Sequence, residues 1–190
     1  MRTLLKQIKN CKECEKHLLL GANPILVASP KSKIVIIGQA PGRIVHHTGI
    51  PWDDKSGDNL RNWLGVEKST FYDVDLFALM PMGFCYPGAG KTGDLAPRRE
   101  CAPLWHKKLI KSMTGVKLIL LIGQYAQNYY LADQEKSNLT VTVRNFKMYL
   151  PKYFPLPHPS PRNNIWQAKN EWFCLEVLPE LKKRVKKIIA

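Results

Sequence analysis

Four cysteines and one histidine are the residues of this chain best suited to chemistry. Cys11 and Cys14 form a C-x2-C pair, and Cys85 and Cys101 follow further along. Four thiolates in this grouping suit tetrahedral zinc or an iron–sulfur cluster, and spacing alone does not separate the two. Without a metal they are buried free thiols, since free cysteine packs as a small apolar side chain. The fifth, Cys174, lies in an apolar helical run and reads as core. An odd count of five in an intracellular chain argues against a disulfide framework. His158 opens the string His158-Pro-Ser-Pro-Arg-Asn163. A neutral imidazole N–H stabilises negative charge that grows on a nearby carbonyl oxygen; its alternative use is to brace the next turn. Gly38-Gln-Ala-Pro-Gly42 forms a tight turn, because glycine permits close approach and proline fixes the path. Asp53 and Asp54 follow Trp52. They suit the orientation of a water and the stabilisation of a cation, or the capping of a helix that begins near Gly57.

The surrounding pattern says what must position these residues. Lys33–Gly38 and Val116–Gly123 are short apolar runs, rich in β-branched residues or leucine, that end in glycine. Such runs mark buried parallel strands. Asp73–Met80 and Tyr153–Leu156 read as two more strands. Helices are expected over Arg2–His17 (carrying Cys11 and Cys14), Gly57–Leu64, Arg98–Met113 and Gln124–Ala132, with a helical region at the C-terminus. Gln39–Ser56 is expected as a polar loop, and Met82–Pro97 as a Gly- and Pro-rich one. Strands alternating with helices predict a single α/β domain spanning residues 1–190: an α/β/α sandwich around a mostly parallel four-stranded sheet. Ligands of such sheets bind beyond the carboxyl ends of the strands, where Gln39, Pro81, Gln124 and His158 open their loops.

Composition narrows the partners. The 190 residues carry 29 Lys plus Arg against 15 Asp plus Glu, a formal charge of +14. That charge draws polyanions, nucleic acid or an anionic membrane surface alike. The densest basic run, Leu181–Ala190, reads as the solvated face of a last helix, because Leu178, Leu181, Val185, Ile188 and Ile189 fall at helical spacing. No apolar run reaches the roughly 20 residues that span a bilayer, and the first residues lack a signal-peptide core. A cytoplasmic monomer with no membrane partner is expected.

The two Gly/Pro strings resemble the two signature motifs of the uracil-DNA glycosylase superfamily. The first is Gly38-Gln-Ala-Pro-Gly42, followed by Thr48-Gly-Ile-Pro-Trp52-Asp-Asp54. The second is His158-Pro-Ser-Pro-Arg-Asn163. They occur in the family's order, each after an expected strand, and with the cysteines the likeness runs from Cys11 to Asn163. The second string is most similar to the single-strand-selective monofunctional branch. The first string and the cysteine spacing are more similar to the thermostable iron–sulfur branch.

The resemblance implies a DNA repair enzyme that everts a deaminated base, uracil foremost, and hydrolyses its N-glycosidic bond without cutting the strand. On that reading His158 stabilises the departing base anion, and Asp54, or Asp53, positions the water. Gly38, Gln39, Ala40 and Trp52 hold the base. Ser160, Pro161, Arg162 and Asn163 reach the DNA. Cys11, Cys14, Cys85 and Cys101 hold a structural 4Fe–4S cluster, with zinc or no metal as alternatives. His46 and His47 lie within reach of base or phosphate. Two departures favour a second reading, a weakly active or inactive module that binds damaged or single-stranded DNA. Ala40 stands where several branches carry Asp or Asn. Leu79-Met80-Pro81-Met82-Gly83 offers no amide where the uracil-specific branches carry Asn. A metal-dependent hydrolase would need clustered His and carboxylate ligands, which the sequence does not show.

Overall fold

A computed structural model describes residues 1–132 and 138–190. Its centre is a four-stranded parallel sheet of order β2-β1-β3-β4. The strands are β1 (Ile34–Ile37), β2 (Phe77–Leu79), β3 (Leu118–Ile122) and β4 (Tyr153–Leu156). Registers run Ile34 to Phe77, Ile34 to Leu118 and Ile119 to Tyr153. Every residue of the inner strands β1 and β3 is buried, as a sheet covered on both faces requires.

Alternation along β1 separates two cores. Ile34 and Ile36 pack on one face with Leu60, Leu64, Phe173, Leu181 and Val185. Val35 and Ile37 pack on the other with Ile8, Leu109, Met113, Ala126 and Leu131. The helices around the sheet are α1 (Arg2–Lys9), α2 (Arg43–Thr48), α3 (Lys55–Leu64), α4 (Lys68–Phe71), α5 (Lys107–Ser112), α6 (Gln124–Leu131), α7 (Leu139–Arg144), α8 (Asn164–Lys169) and α9 (Leu178–Ile189), and most of these core residues come from α1, α3, α5, α6 and α9. The α/β/α sandwich expected from the strand and helix alternation is the fold observed. No helix among the described residues is long and apolar enough to cross a membrane.

Several boundaries differ from expectation. The first helix ends at Lys9, so Cys11 and Cys14 lie beyond it rather than on it. Cys14 turns inward against Leu18 and Cys85, a position a continuing helix would not reach. Only Phe77–Leu79 of the second expected strand pairs, because the Asp73 side chain accepts from the Asp75 N–H and its carbonyl from Leu76, forming a turn instead. The polar loop contains α2, started at Gly42 and stopped by Gly49 in the left-handed region. The Arg98–Met113 helix is shorter, and its Ala102–His106 portion is a wide π-type turn. Cys174 is exposed, not core. In the turn Phe173–Val177 only Phe173 and Val177 face inward, and Cys174 and Leu175 point out.

Candidate active site

The strand order reverses between β1 and β3, and the carboxyl ends of the strands there carry the loops of interest. A cavity of about 490 Å³ opens at this edge. Gly38–Gly42 forms one wall, Trp52 and Asp54 the next, and His158, Ser160 and Arg162 another. The two Gly/Pro strings therefore enclose one space. A smaller cavity of about 300 Å³ shares Gln39 and His158 and is closed by Tyr125, Asn163 and Trp166.

Backbone hydrogen bonds fix the loop after β1. The Gly38 and Gln39 carbonyls accept from the Met82 and Gly83 N–H groups, tying it to the loop after β2. There Pro81 lines the cavity in place of an amide. Its carbonyl accepts from His106 Nε2 at 3.1 Å, and His106 Nδ1 lies 2.8 Å from the Tyr130 hydroxyl. His106 is thus a neutral, fully engaged imidazole, and burial pushes it down to about 4.

The His158 loop is pinned from both sides. Asn163 Nδ2 donates to the His158 carbonyl at 2.7 Å, and Asn59 Nδ2 to the Pro159 carbonyl at 2.9 Å. Ser160 Oγ accepts from the Arg162 N–H. Burial holds His158 below the usual imidazole range, while the nearby Asp54 carboxylate pulls the other way. The neutral ring is the form suited to hydrogen-bond donation at pH 7.

Trp52 has a φ of 59°, a left-handed conformation rare for a bulky residue. Its carbonyl accepts from the buried Arg61 guanidinium, which also pairs with Asp58 and lies over the Phe71 ring. Two glycines make room for it. A Cβ at Gly38 would stand 2.7 Å from Trp52 Cζ2, and a Cβ at Gly57 would stand 1.8 Å from the Trp52 carbonyl oxygen. The half-buried ring ends with its centroid 5.9 Å from that of His158. Gly57→Ala is expected to displace the Trp52 backbone and cost about 1–3 kcal/mol. Chemical unfolding followed by tryptophan fluorescence checks this.

Not every sequence candidate faces the cavity. One Asp54 oxygen caps α3 by accepting from the Gly57 N–H at 2.9 Å, and the residue also lines the cavity. The helix-cap and site readings thus coexist. Asp53 pairs with Lys68 at 3.0 Å and is not among the lining residues. Pro161 is exposed beside the mouth. His46 and His47 ride on α2, and neither is a lining residue. A fourth wall, Gly93-Asp94-Leu95, was not among the residues expected from the sequence. Arg162 ties it down by donating to the Thr92 carbonyl at 3.2 Å. Asp94 also acts on the buried Tyr86 phenol, which burial first and this carboxylate next push up. Its signals in the sequence are the loop's place after β2, among the strand-end loops, and its Gly- and Pro-rich composition; no residue type within it marks the wall.

The four cysteines come near one another on the flank of this site. Cys14, Cys85 and Cys101 are buried, and Cys11 is half-buried. Burial pushes Cys85 up to about 11 and Cys101 up to about 12, and both feel the charge of Cys11 and Cys14. Backbone N–H groups of Asn23 and Phe84 oppose this at the two sulfurs. Among the described residues, no group of three or more His, Cys, Asp or Glu side chains is arranged to hold a metal ion.

The buried His106 and the half-buried His158 make the fold sensitive to acid. Imidazoles held below their ordinary value of about 6.5 refuse a proton that the unfolded chain accepts. Stability is therefore full above about pH 6.5 and falls as pH drops towards 4, by about 3 kcal/mol for His106, with His158 adding in the same direction. Urea unfolding midpoints between pH 7.5 and 4.5 measure the effect.

A parallel sheet whose strand ends carry two Gly/Pro loops and a half-buried histidine around one cavity is an α/β fold with its ligand site at the point where the strand order reverses. Residues 26–182 match the family described as the uracil DNA glycosylase superfamily, and the chain belongs to that superfamily. The chain is also similar to a Type-4 uracil-DNA glycosylase of Sulfurisphaera tokodaii (strain DSM 16993 / JCM 10545 / NBRC 100140 / 7). The two are 20% identical over 171 residues, which cover 84% of this chain and 74% of that protein. This places the chain among glycosylase-like hydrolases of DNA repair.

Proposed function

We propose that the protein is a monofunctional DNA glycosylase that hydrolyses the N-glycosidic bond of an everted deaminated base, uracil foremost. The observation that carries this reading is the cavity of about 490 Å³ walled by Gly38–Gly42, Trp52 and His158. Bond cleavage leaves positive charge on the sugar and negative charge on the base. His158 donates its N–H to the base oxygen as that charge grows. Asp54 faces the sugar cation and orients the attacking water. Asp53, held by Lys68, supports the loop. Trp52 stacks on the base, worth about 1–3 kcal/mol towards the cost of unstacking, and the Gly38-Gln39-Ala40 backbone follows the base edge. Ser160, Pro161, Arg162 and Asn163 engage the DNA backbone and the gap left by the nucleotide. No lysine lines the cavity among the described residues, which fits water attack without a Schiff base.

Cys11, Cys14, Cys85 and Cys101 are the residues that would hold a 4Fe–4S cluster, or zinc in its place. The residue types fit: four cysteines whose charges act on one another, with backbone N–H groups of Asn23 and Phe84 directed at Cys85 and Cys101. The group would supply cross-linking of three chain segments. The second reading, a damage-binding module of little activity, is favoured by Ala40 and by the Pro81 carbonyl already taken by His106. Chromatography of bases released from oligonucleotides bearing uracil, hypoxanthine, xanthine or thymine decides between them. Free uracil with an uncut abasic strand is expected. Tight binding with no released base supports the binding module instead.

A further inference from the structure

The cavity wall supplied by the loop after β2 is held from outside the cavity. Pro81 lines that wall. A proline has no N–H, and the backbone groups around it are already engaged. The Met82 N–H donates to the Gly38 carbonyl at 2.9 Å, and the Gly83 N–H to the Gln39 carbonyl at 3.0 Å. The Pro81 carbonyl accepts from His106 Nε2 at 3.1 Å. The Pro81–Met82 peptide is therefore clamped at both ends, its N–H by the loop after β1 and its carbonyl by His106. What the Pro81 side chain offers the cavity is an apolar ring, with neither donor nor acceptor.

His106 is 1% exposed and is not among the cavity-lining residues. It ends the π-type turn Ala102–His106, and a wide turn of this kind re-aims the residues that follow it. Its ring stacks on Phe84, with centroids 5.5 Å apart, and on Tyr130, with centroids 6.0 Å apart. The hydrogen bonds fix its tautomer. A carbonyl can only accept, so Nε2 carries the proton. Nδ1 of the neutral ring is then a lone pair, and the Tyr130 hydroxyl, 2.8 Å away on α6, donates to it. An apolar side chain would fill this space without desolvating a polar ring. The chain Tyr130–His106–Pro81 is what the imidazole adds.

We propose that His106 is a positioning residue for base selection: with Tyr130 it fixes the Pro81 wall at one depth, so that this side of the cavity sorts bases by size and shape rather than by hydrogen bonds. This rests on the cavity receiving an everted base. A fixed apolar wall discriminates against one added group of methyl size by about 10–200-fold. A wall free to shift loses that discrimination.

The test measures kcat/KM for release of uracil and of 5-bromouracil from the same oligonucleotide by wild type, His106→Phe, His106→Gln and Tyr130→Phe. Bromine is close to a methyl group in size and withdraws electrons, which makes the base a better leaving group, so only fit opposes its release. Wild type is expected to favour uracil by about tenfold or more, and His106→Phe, which keeps a stacking ring without the donor, to shrink that preference by about tenfold. His106→Gln places an amide N–H near the position of Nε2 and should bring the preference back to within about threefold of wild type. Tyr130→Phe removes one oxygen, should shift the preference the same way by a smaller factor, and decides the question if His106→Phe does not fold. A merely structural role lowers both rates alike and leaves their ratio unchanged. A second readout needs no turnover. Pro81-Met82 is the only Pro-Met step in the sequence, so protein labelled with 13C at proline carbonyls and 15N at methionine gives one amide correlation across that peptide. Its carbonyl resonance should move upfield in His106→Phe and stay near the wild-type position in His106→Gln. An unchanged ratio, no preference in wild type, no recovery in His106→Gln, or an unmoved resonance in His106→Phe overturns the proposal. If wild type releases neither base, the enzymatic function proposed above fails, and the ratio of affinities for the two oligonucleotides in the same variants decides the role of His106.

Discussion

His158→Ala is expected to lower the rate of base release by about 10²–10³-fold while leaving DNA affinity nearly unchanged. The size follows from where the interaction strengthens. A hydrogen bond from a neutral imidazole to the base is weak before reaction and strong once charge has moved onto the leaving oxygen. Its loss therefore lowers kcat and kcat/KM together. The scaffold around the ring raises the expected effect, because Asn163 and Asn59 fix the loop backbone on either side and no reorganisation is needed during the step. His158→Gln, which keeps an N–H donor, should recover part of the rate. Single-turnover kinetics with excess enzyme, beside a fluorescence titration of DNA binding, measures both quantities. An unchanged rate removes His158 from the chemistry.

The second large effect is expected at the thiols. If Cys11, Cys14, Cys85 and Cys101 hold a cluster, Cys14→Ser or Cys101→Ser removes a ligand and loosens three segments at once. A loss of about 4 kcal/mol follows, which lowers Tm by roughly 10–15 °C for a domain of this size. Protein prepared without air should be brown, with visible absorbance that each substitution abolishes. Zinc gives the same fall in Tm without colour. Free thiols give neither colour nor metal, and each serine then costs no more than about 1–3 kcal/mol, the ordinary range for burying a hydroxyl. Metal analysis with differential scanning calorimetry separates the three outcomes.

The parts of this molecule legible in the sequence are those that burial dictates. Ile34–Ile37 and Leu118–Ile122 are unbroken apolar runs because both sheet faces are covered. The face of α9 is legible because Leu181 and Val185 repeat at helical spacing. Gly38 and His158 were found through motif order, and the cavity they share is where the strand order reverses. What escaped lacks periodicity. Helix α2 has only Val45 buried, too little to mark an amphipathic stripe. The wall Gly93–Leu95 belongs to a loop defined by carbonyl contacts, such as Arg162 to Thr92, that side-chain patterns do not encode. Asp53 and Asp54 are adjacent and chemically identical in sequence. Only the fold shows that one turns to Lys68 and the other to the cavity. Cys174 misled because an apolar neighbourhood along the chain is not one in space when the helix turns its flank outward.

The most direct measurement is a crystal structure of the protein with an oligonucleotide whose deoxyuridine carries a fluorinated sugar, which slows cleavage by destabilising the sugar cation. Uracil is expected out of the stack, its ring against Trp52 and a carbonyl oxygen within hydrogen-bonding distance of His158. A uridine left stacked in the DNA, or lodged away from the space between Gly38 and His158, would contradict it.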